Sequence, residues 1–140
     1  MSRNQYHDYL RAVPLFAGVD DEDLDVIGAA VTELSFKEGD VLMRAGSTAR
    51  EMVIVLEGSL CVKLGDTEIA LIETGGFAGE MGLLAGRPRN ADVVAKGPTK
   101  VLHIDSRSFD NVLDEAPQIA VKMLPIVAKR VVDNNSRVSD

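Results

Sequence analysis

The residues best suited to chemistry lie in one glycine-rich segment of the chain, residues 75–95. It contains Glu80 and, nine residues later, Arg89. Glycines let the backbone approach a ligand closely, and a short helical turn over residues 80–84 would point free N–H groups outward. A guanidinium can bind two oxygens of a phosphate through parallel hydrogen bonds. The segment therefore predicts an anion site. The alternative is a surface ion pair between Glu80 and Arg89, which the surrounding glycines make less favoured.

Composition argues against several other classes of protein. The formal net charge is −7 and no block of Lys and Arg appears, so nucleic acid is not expected as a partner. No run approaches the roughly 20 apolar residues that cross a bilayer, and no secretory signal opens the chain. We expect no membrane segment and a cytoplasmic location.

Neither a metal site nor a catalytic centre is expected. The chain has two histidines, His7 in an N-terminal segment predicted to be mobile and His103 in a predicted strand, where a structural or exposed role is favoured. Its one cysteine, Cys61, reads as a small buried hydrophobe. The distant histidines argue against a cupin-type metalloenzyme, and the serines lack a recognisable base partner. We predict no cofactor, no metal and no enzymatic activity.

The rest of the sequence predicts a mainly β fold with flanking helices. An acidic first turn after Val19 leads into an amphipathic helix, and five to seven short strands joined by glycine turns follow, which is typical of an antiparallel β-roll or jelly-roll. Asp105 or Ser106 can cap a further helix that ends at Pro117. From Gln118 an apolar stripe predicts a terminal helix, with a kink or break near Leu124 because Pro125 lies inside it.

Two motifs within the glycine-rich segment resemble the phosphate-binding cassette of cyclic nucleotide-binding domains. They are residues 79–83, read as Gly-Glu-Met-Gly-Leu, and residues 88–91, read as Pro-Arg-Asn-Ala. The resemblance covers nearly the whole chain, including Phe36, Gly46 and the segment from Ile54 to Gly58. It is therefore not confined to one motif.

The resemblance implies a role for each matching residue. Glu80 would accept a hydrogen bond from the ribose 2′-hydroxyl, while Arg89 and nearby amides would bind the cyclic phosphate. Val62 matches the family position that lines the purine, although core packing is an equal alternative for it. The implied ligand site comprises Gly79, Glu80, Met81, Gly82, Leu83, Arg89, Asn90, Ala91 and Val62.

Two positions depart from the family's pattern. The family usually has an aromatic residue directly before the Gly-Glu pair, whereas this chain has Ala78 there and Phe77 one position earlier. Asn90 offers both a donor and an acceptor, so by itself it leaves the purine undecided. We expect a cyclic mononucleotide, with cAMP favoured over cGMP; the alternative is an interaction module that keeps the fold without the nucleotide.

A single domain over residues 1–140 is predicted, with an N-terminal helical segment (1–33), a β-roll (34–104) that carries the cassette (75–91, with a short helix), and C-terminal helices (105–140). The expected function is a sensor that relays ligand occupancy through those C-terminal helices. Their apolar stripe, from Val121 to Val131, is compatible with core or dimer packing and with closing over the purine. A protein effector or a second copy of the chain is the partner expected there.

Overall fold

The computed structural model of the protein describes residues 3–48, 50–84 and 88–139. Its backbone falls into two compact units. Residues 30–109 form the first unit, and the segments before and after them form the second. The single domain over residues 1–140 stays a prediction.

The strands of the first unit are β1 Thr32–Phe36, β2 Val41–Met43, β3 Glu51–Glu57, β4 Leu60–Leu64, β5 Thr67–Ile72, β6 Phe77–Ala78, β7 Asp92–Ala95 and β8 Thr99–Asp105. They form two four-stranded antiparallel sheets, ordered β1-β8-β3-β6 and β2-β7-β4-β5. The mainly β prediction, an antiparallel roll with flanking helices, is confirmed. The eight strands of the described residues exceed the predicted five to seven, because a strand as short as β6 has no sequence period to reveal it.

The core of the β-roll is built from alternate residues of both sheets. Strand residues point to opposite faces in turn, so every second apolar side chain faces inward. The buried cluster comprises Met43, Val53, Val55, Leu60, Val93, Ala95 and Val101, with Val62 and Ala78 among the half-buried residues packed against it. At the β3–β4 turn Gly58 has φ 84°, and a Cβ there would lie 2.4 Å from the carbonyl oxygen of Pro98. Only glycine fits this turn.

The helices are α1 Arg3–Arg11, α2 Asp21–Gly28, α3 Ser106–Glu115 and α4 Gln118–Ser139. The predicted acidic helix is confirmed as α2, whose N-cap Asp20 accepts a hydrogen bond from the amide of Asp23 at 2.9 Å. The amide of Ser108 donates to Asp105 Oδ1 at 2.7 Å, which caps α3, and α3 ends before Pro117 as predicted. None of the described helices combines the length and apolar character needed to span a membrane.

The chain does not break near Leu124, where a kink or break is predicted: α4 continues through Pro125 to Ser139. A proline removes one backbone donor, and the remaining bonds of a 22-residue helix can carry it past that point. His7 lies in α1, within the predicted N-terminal helical segment, and its Nε2 is 2.7 Å from Asp25 Oδ1.

Candidate functional site

The predicted site begins where the backbone of Gly79 passes close to two other groups. Gly79 has φ +83°, a region that side-chain-bearing residues rarely adopt. A Cβ at this position would lie 2.4 Å from the carbonyl oxygen of Glu51 and 3.0 Å from Nη1 of Arg89. The guanidinium of Arg89 is therefore next to the backbone that leads into Glu80.

Three hydrogen bonds hold Arg89 against the loop between β2 and β3 and the start of β3. Its Nη2 donates to the carbonyl oxygen of Glu51 at 2.8 Å. Its backbone amide donates to the carbonyl of Ser47 at 2.8 Å, and its own carbonyl accepts from the amide of Gly46 at 2.7 Å. Both the backbone and the side chain of Arg89 are thus fixed by the loop between β2 and β3 and by the first residue of β3.

The guanidinium of Arg89 is partly withdrawn from water. Burial lowers its pKa, and the nearby charge of Glu51 acts in the opposite direction. Its Nε is buried and has no hydrogen-bond partner among the described residues. A buried donor left without an acceptor costs about 1–3 kcal/mol, so an anionic oxygen brought to this group would be stabilised.

Glu80 opens a short 3₁₀ turn, Glu80–Leu83, which fits the predicted helical turn of the cassette. Met81 and Gly82 occupy its middle positions. Glu80 is 5% exposed and Leu83 4%. Since a buried carboxylate is retained where it forms hydrogen bonds, Glu80 is suited to accept one in a confined space.

The remaining predicted residues are Asn90, Ala91 and Val62. Asn90 is exposed and Ala91 half-buried in the bend that precedes β7. Val62 packs against the core cluster, which includes Met43, and Met43 Cε lies 2.9 Å from a Cβ built on Gly79. The residues on either side of Val62 on β4 line a surface cavity of about 230 Å³. No predicted site residue lines that cavity. Val62 therefore faces the interior on which Gly79 also borders.

Sequence reasoning missed the residues that position Arg89. Glu51 lies 38 residues away in sequence, and no local pattern marks its carbonyl oxygen as a partner for a guanidinium. His103 Nε2 in turn lies 2.7 Å from Glu51 Oε2. Only the pairing of β3 with β8 brings these side chains together.

Comparison with known proteins identifies the family of the chain. Residues 33–116, more than half of the chain, match the family described as cyclic nucleotide-binding domain. The chain belongs to the cyclic nucleotide-binding domain family.

One curated relative is a cAMP-dependent protein kinase regulatory subunit from Hypocrea atroviridis, which is 26% identical over 111 residues. That match covers 79% of this chain and only 24% of the relative, so the chain spans about a quarter of that protein.

Two solved structures share the fold. The N-terminal domain of a transcriptional regulator from Streptomyces coelicolor A3(2) has a TM-score of 0.84 at 27% identity, covering 93% of this chain and 94% of that one. The cAMP-bound protein PfPKA-R has a TM-score of 0.72 at 22% identity, covering 96% of this chain and 45% of that one. At that identity the second likeness concerns the fold alone.

Proposed function

We propose that this chain binds a cyclic mononucleotide, cAMP in preference to cGMP, and acts as a regulatory sensor rather than as an enzyme. One observation carries the proposal. The guanidinium of Arg89 is held between Gly79 and the carbonyl of Glu51, and its buried Nε has no acceptor among the described residues. A ring phosphate diester supplies a single negative charge and two free oxygens, which suit this donor.

Each part of the nucleotide would contact a different part of the site. The cyclic phosphate would lie against Arg89 and the amides of the turn that starts at Glu80. The carboxylate of Glu80 would accept a hydrogen bond from the ribose 2′-hydroxyl, which distinguishes a ribose from a deoxyribose. The purine would lie towards Val62, on the apolar inner face of the roll.

The preference for cAMP rests on relatives rather than on a contact. The kinase regulatory subunit is named as cAMP-dependent, and PfPKA-R is a cAMP-bound protein. Asn90 is exposed in the bend before β7 and offers both a donor and an acceptor, so it does not by itself select a base.

The proposed output is a relay through α3 and α4 to a protein effector or to a second copy of the chain. Support comes from connectivity: α3 begins at Ser106, directly after β8 ends at Asp105, with no intervening loop. Pro117 separates α3 from α4 and provides a point where the chain can bend. A relay requires the nucleotide to bind two states of these helices with different affinity. We expect the sensor to act in the cytoplasm.

The proposal is tested by replacing the arginine. Hydrogen bonds to charged groups contribute about 1.5–3 kcal/mol each, so Arg89→Ala should weaken cAMP binding roughly ten- to a hundredfold. Isothermal titration with cAMP, cGMP and a cyclic dinucleotide measures this and orders the ligands. Arg107→Ala, at an exposed position of α3, is the matched control and should bind like the parent.

Two results would count against the proposal. Equal affinity of Arg89→Ala and the parent would remove Arg89 from the site, and no binding of any ligand by the folded parent would favour the interaction module. The same titration followed by NMR tests the relay. Shifts confined to residues 75–91, with none beyond Pro117 at saturation, would contradict it.

A further inference from the structure

A histidine–glutamate pair is connected to Arg89 through the backbone of Glu51. His103 on β8 and Glu51 on β3 form a contact of 2.7 Å between Nε2 and Oε2. The side chains are 22% and 26% exposed, respectively. His103 pairs across the sheet with Val53, a member of the core cluster, so it lies on the inner face of the roll.

Glu51 connects this pair to the arginine. Its carboxylate contacts His103, while its backbone carbonyl accepts the hydrogen bond from Arg89 Nη2 at 2.8 Å. The charge of the same carboxylate also acts on the pKa of Arg89. A change in the charge of His103 would therefore change the electrostatic potential at the Arg89 guanidinium through Glu51.

The electrostatic surroundings of His103 contain few other charges. The hydrogen bond to Glu51 raises the pKa of His103, burial opposes this, and the charges of Glu51 and Asp105 add to the rise. On the β1 side its partner is Thr32, which does not titrate. Glu33 pairs with Leu102 and so lies on the opposite face. Among the described residues, Glu51 and Asp105 are the charges that face the imidazole.

We propose that His103 is a positioning residue for Arg89, and that its protonation strengthens the binding of the cyclic nucleotide. This inference rests on the proposed function. When His103 is neutral, the negative charge of the Glu51 carboxylate is uncompensated and repels the ligand phosphate beside Arg89. When His103 is protonated, it neutralises that carboxylate and removes the repulsion.

The sign of the pH dependence follows from this pairing. An anionic ligand favours the protonated form of His103, so affinity is highest at low pH and falls as pH rises through the pKa of His103. A partly exposed charge interaction of this kind changes the dissociation constant by about two- to fivefold. The charge of the cyclic phosphate diester does not change over the same range.

The chain offers a matched control for the test. It has two histidines, and His7 also lies 2.7 Å from an acid, Asp25, but in the helical unit. Isothermal titration with cAMP from about pH 5.5 to about pH 8.5 should show the two- to fivefold loss of affinity in the parent and in His7→Gln. His103→Gln, which can still donate a hydrogen bond to Glu51 but cannot titrate, should show a flat profile.

Two further measurements keep the test decisive if His103→Gln folds poorly. Glu51→Gln retains the backbone carbonyl and removes the charge, so it should bind as tightly at about pH 8.5 as the parent does at about pH 5.5. The imidazole resonances of the parent should titrate at higher pH with cAMP bound than without it. A parent profile that His103→Gln reproduces, or an unchanged imidazole titration, would overturn the inference while leaving nucleotide binding intact. A parent that binds no nucleotide at any pH would instead overturn the proposed function and this inference with it.

Discussion

Replacing Gly79 by alanine should damage the site more than the same replacement at Gly39, a turn with a similar backbone conformation. At Gly79 the added Cβ would meet the carbonyl oxygen of Glu51 at 2.4 Å and Nη1 of Arg89 at 3.0 Å. The carbonyl oxygen belongs to the first residue of β3 and cannot move without disturbing the sheet. Gly39 is the matched control, because its φ of +88° is close to the +83° of Gly79 while nothing lies within 4 Å of its Cβ position.

The magnitude separates into a backbone contribution and a contact contribution. A left-handed conformation costs a side-chain-bearing residue about 1–2 kcal/mol, and both variants incur it. The smaller conformational freedom of the unfolded alanine chain offsets part of this cost equally in both. The overlap at Gly79 adds the cost of overpacking, about 1–3 kcal/mol. Gly79→Ala should therefore unfold more easily than Gly39→Ala by about 1–3 kcal/mol.

The two variants should also differ in ligand binding. Relief of the overlap requires Arg89 to move from the carbonyl of Glu51, so Gly79→Ala should weaken cAMP binding about tenfold, equivalent to about 1.4 kcal/mol. Gly39→Ala should bind like the parent. Urea unfolding gives the stability of each variant. It is followed by far-ultraviolet circular dichroism, because the chain has no tryptophan. Isothermal titration gives the affinity for cAMP. Equal destabilisation of the two variants, with unchanged affinity in both, would refute the reasoning.

Two further predictions concern the helices. Asp105→Ala removes the cap of α3 and should lower the free energy of unfolding by about 0.5–2 kcal/mol at neutral pH, measured by urea unfolding. Asp110→Ala, at an exposed position of the same helix, is the control and should lower it less. The hydrogen bond from the amide of Ser108 lowers the pKa of Asp105, so the stability that the cap contributes is present above the unfolded-state pKa and is lost as pH falls through the folded-state pKa. Equal stability of the two variants at neutral pH would contradict the cap. Lys122→Met should lower the urea midpoint more than Lys129→Met, because Lys122 Nζ lies 2.6 Å from Oδ2 of the 2%-exposed Asp23. Equal midpoints would show that the Lys122–Asp23 contact does not stabilise the fold.

Local sequence patterns were enough to predict several parts of the structure. The acidic first turn of α2, the glycine turn after β3 and the end of α3 before Pro117 each depend on a few neighbouring residues. Such features follow from backbone dihedrals and from hydrogen bonds between residues close in the chain. Pro125 shows the limit of this reasoning, since the local rule predicts a kink or a break and the helix continues without a break.

The sequence alone determined the fold class, because short strands joined by glycine turns recur along the chain. It also contained the cassette motif within one short segment, and the resemblance of that motif implied which two side chains bind a sugar and a phosphate. Only the tertiary structure decided what holds those side chains in place. Glu51 reaches Arg89, and His103 reaches Glu51, across strand pairs whose members lie tens of residues apart in sequence. No periodicity connects such residues, since their contact depends on the register of β3 with β8 and on the loop that presents Arg89 to the first residue of β3.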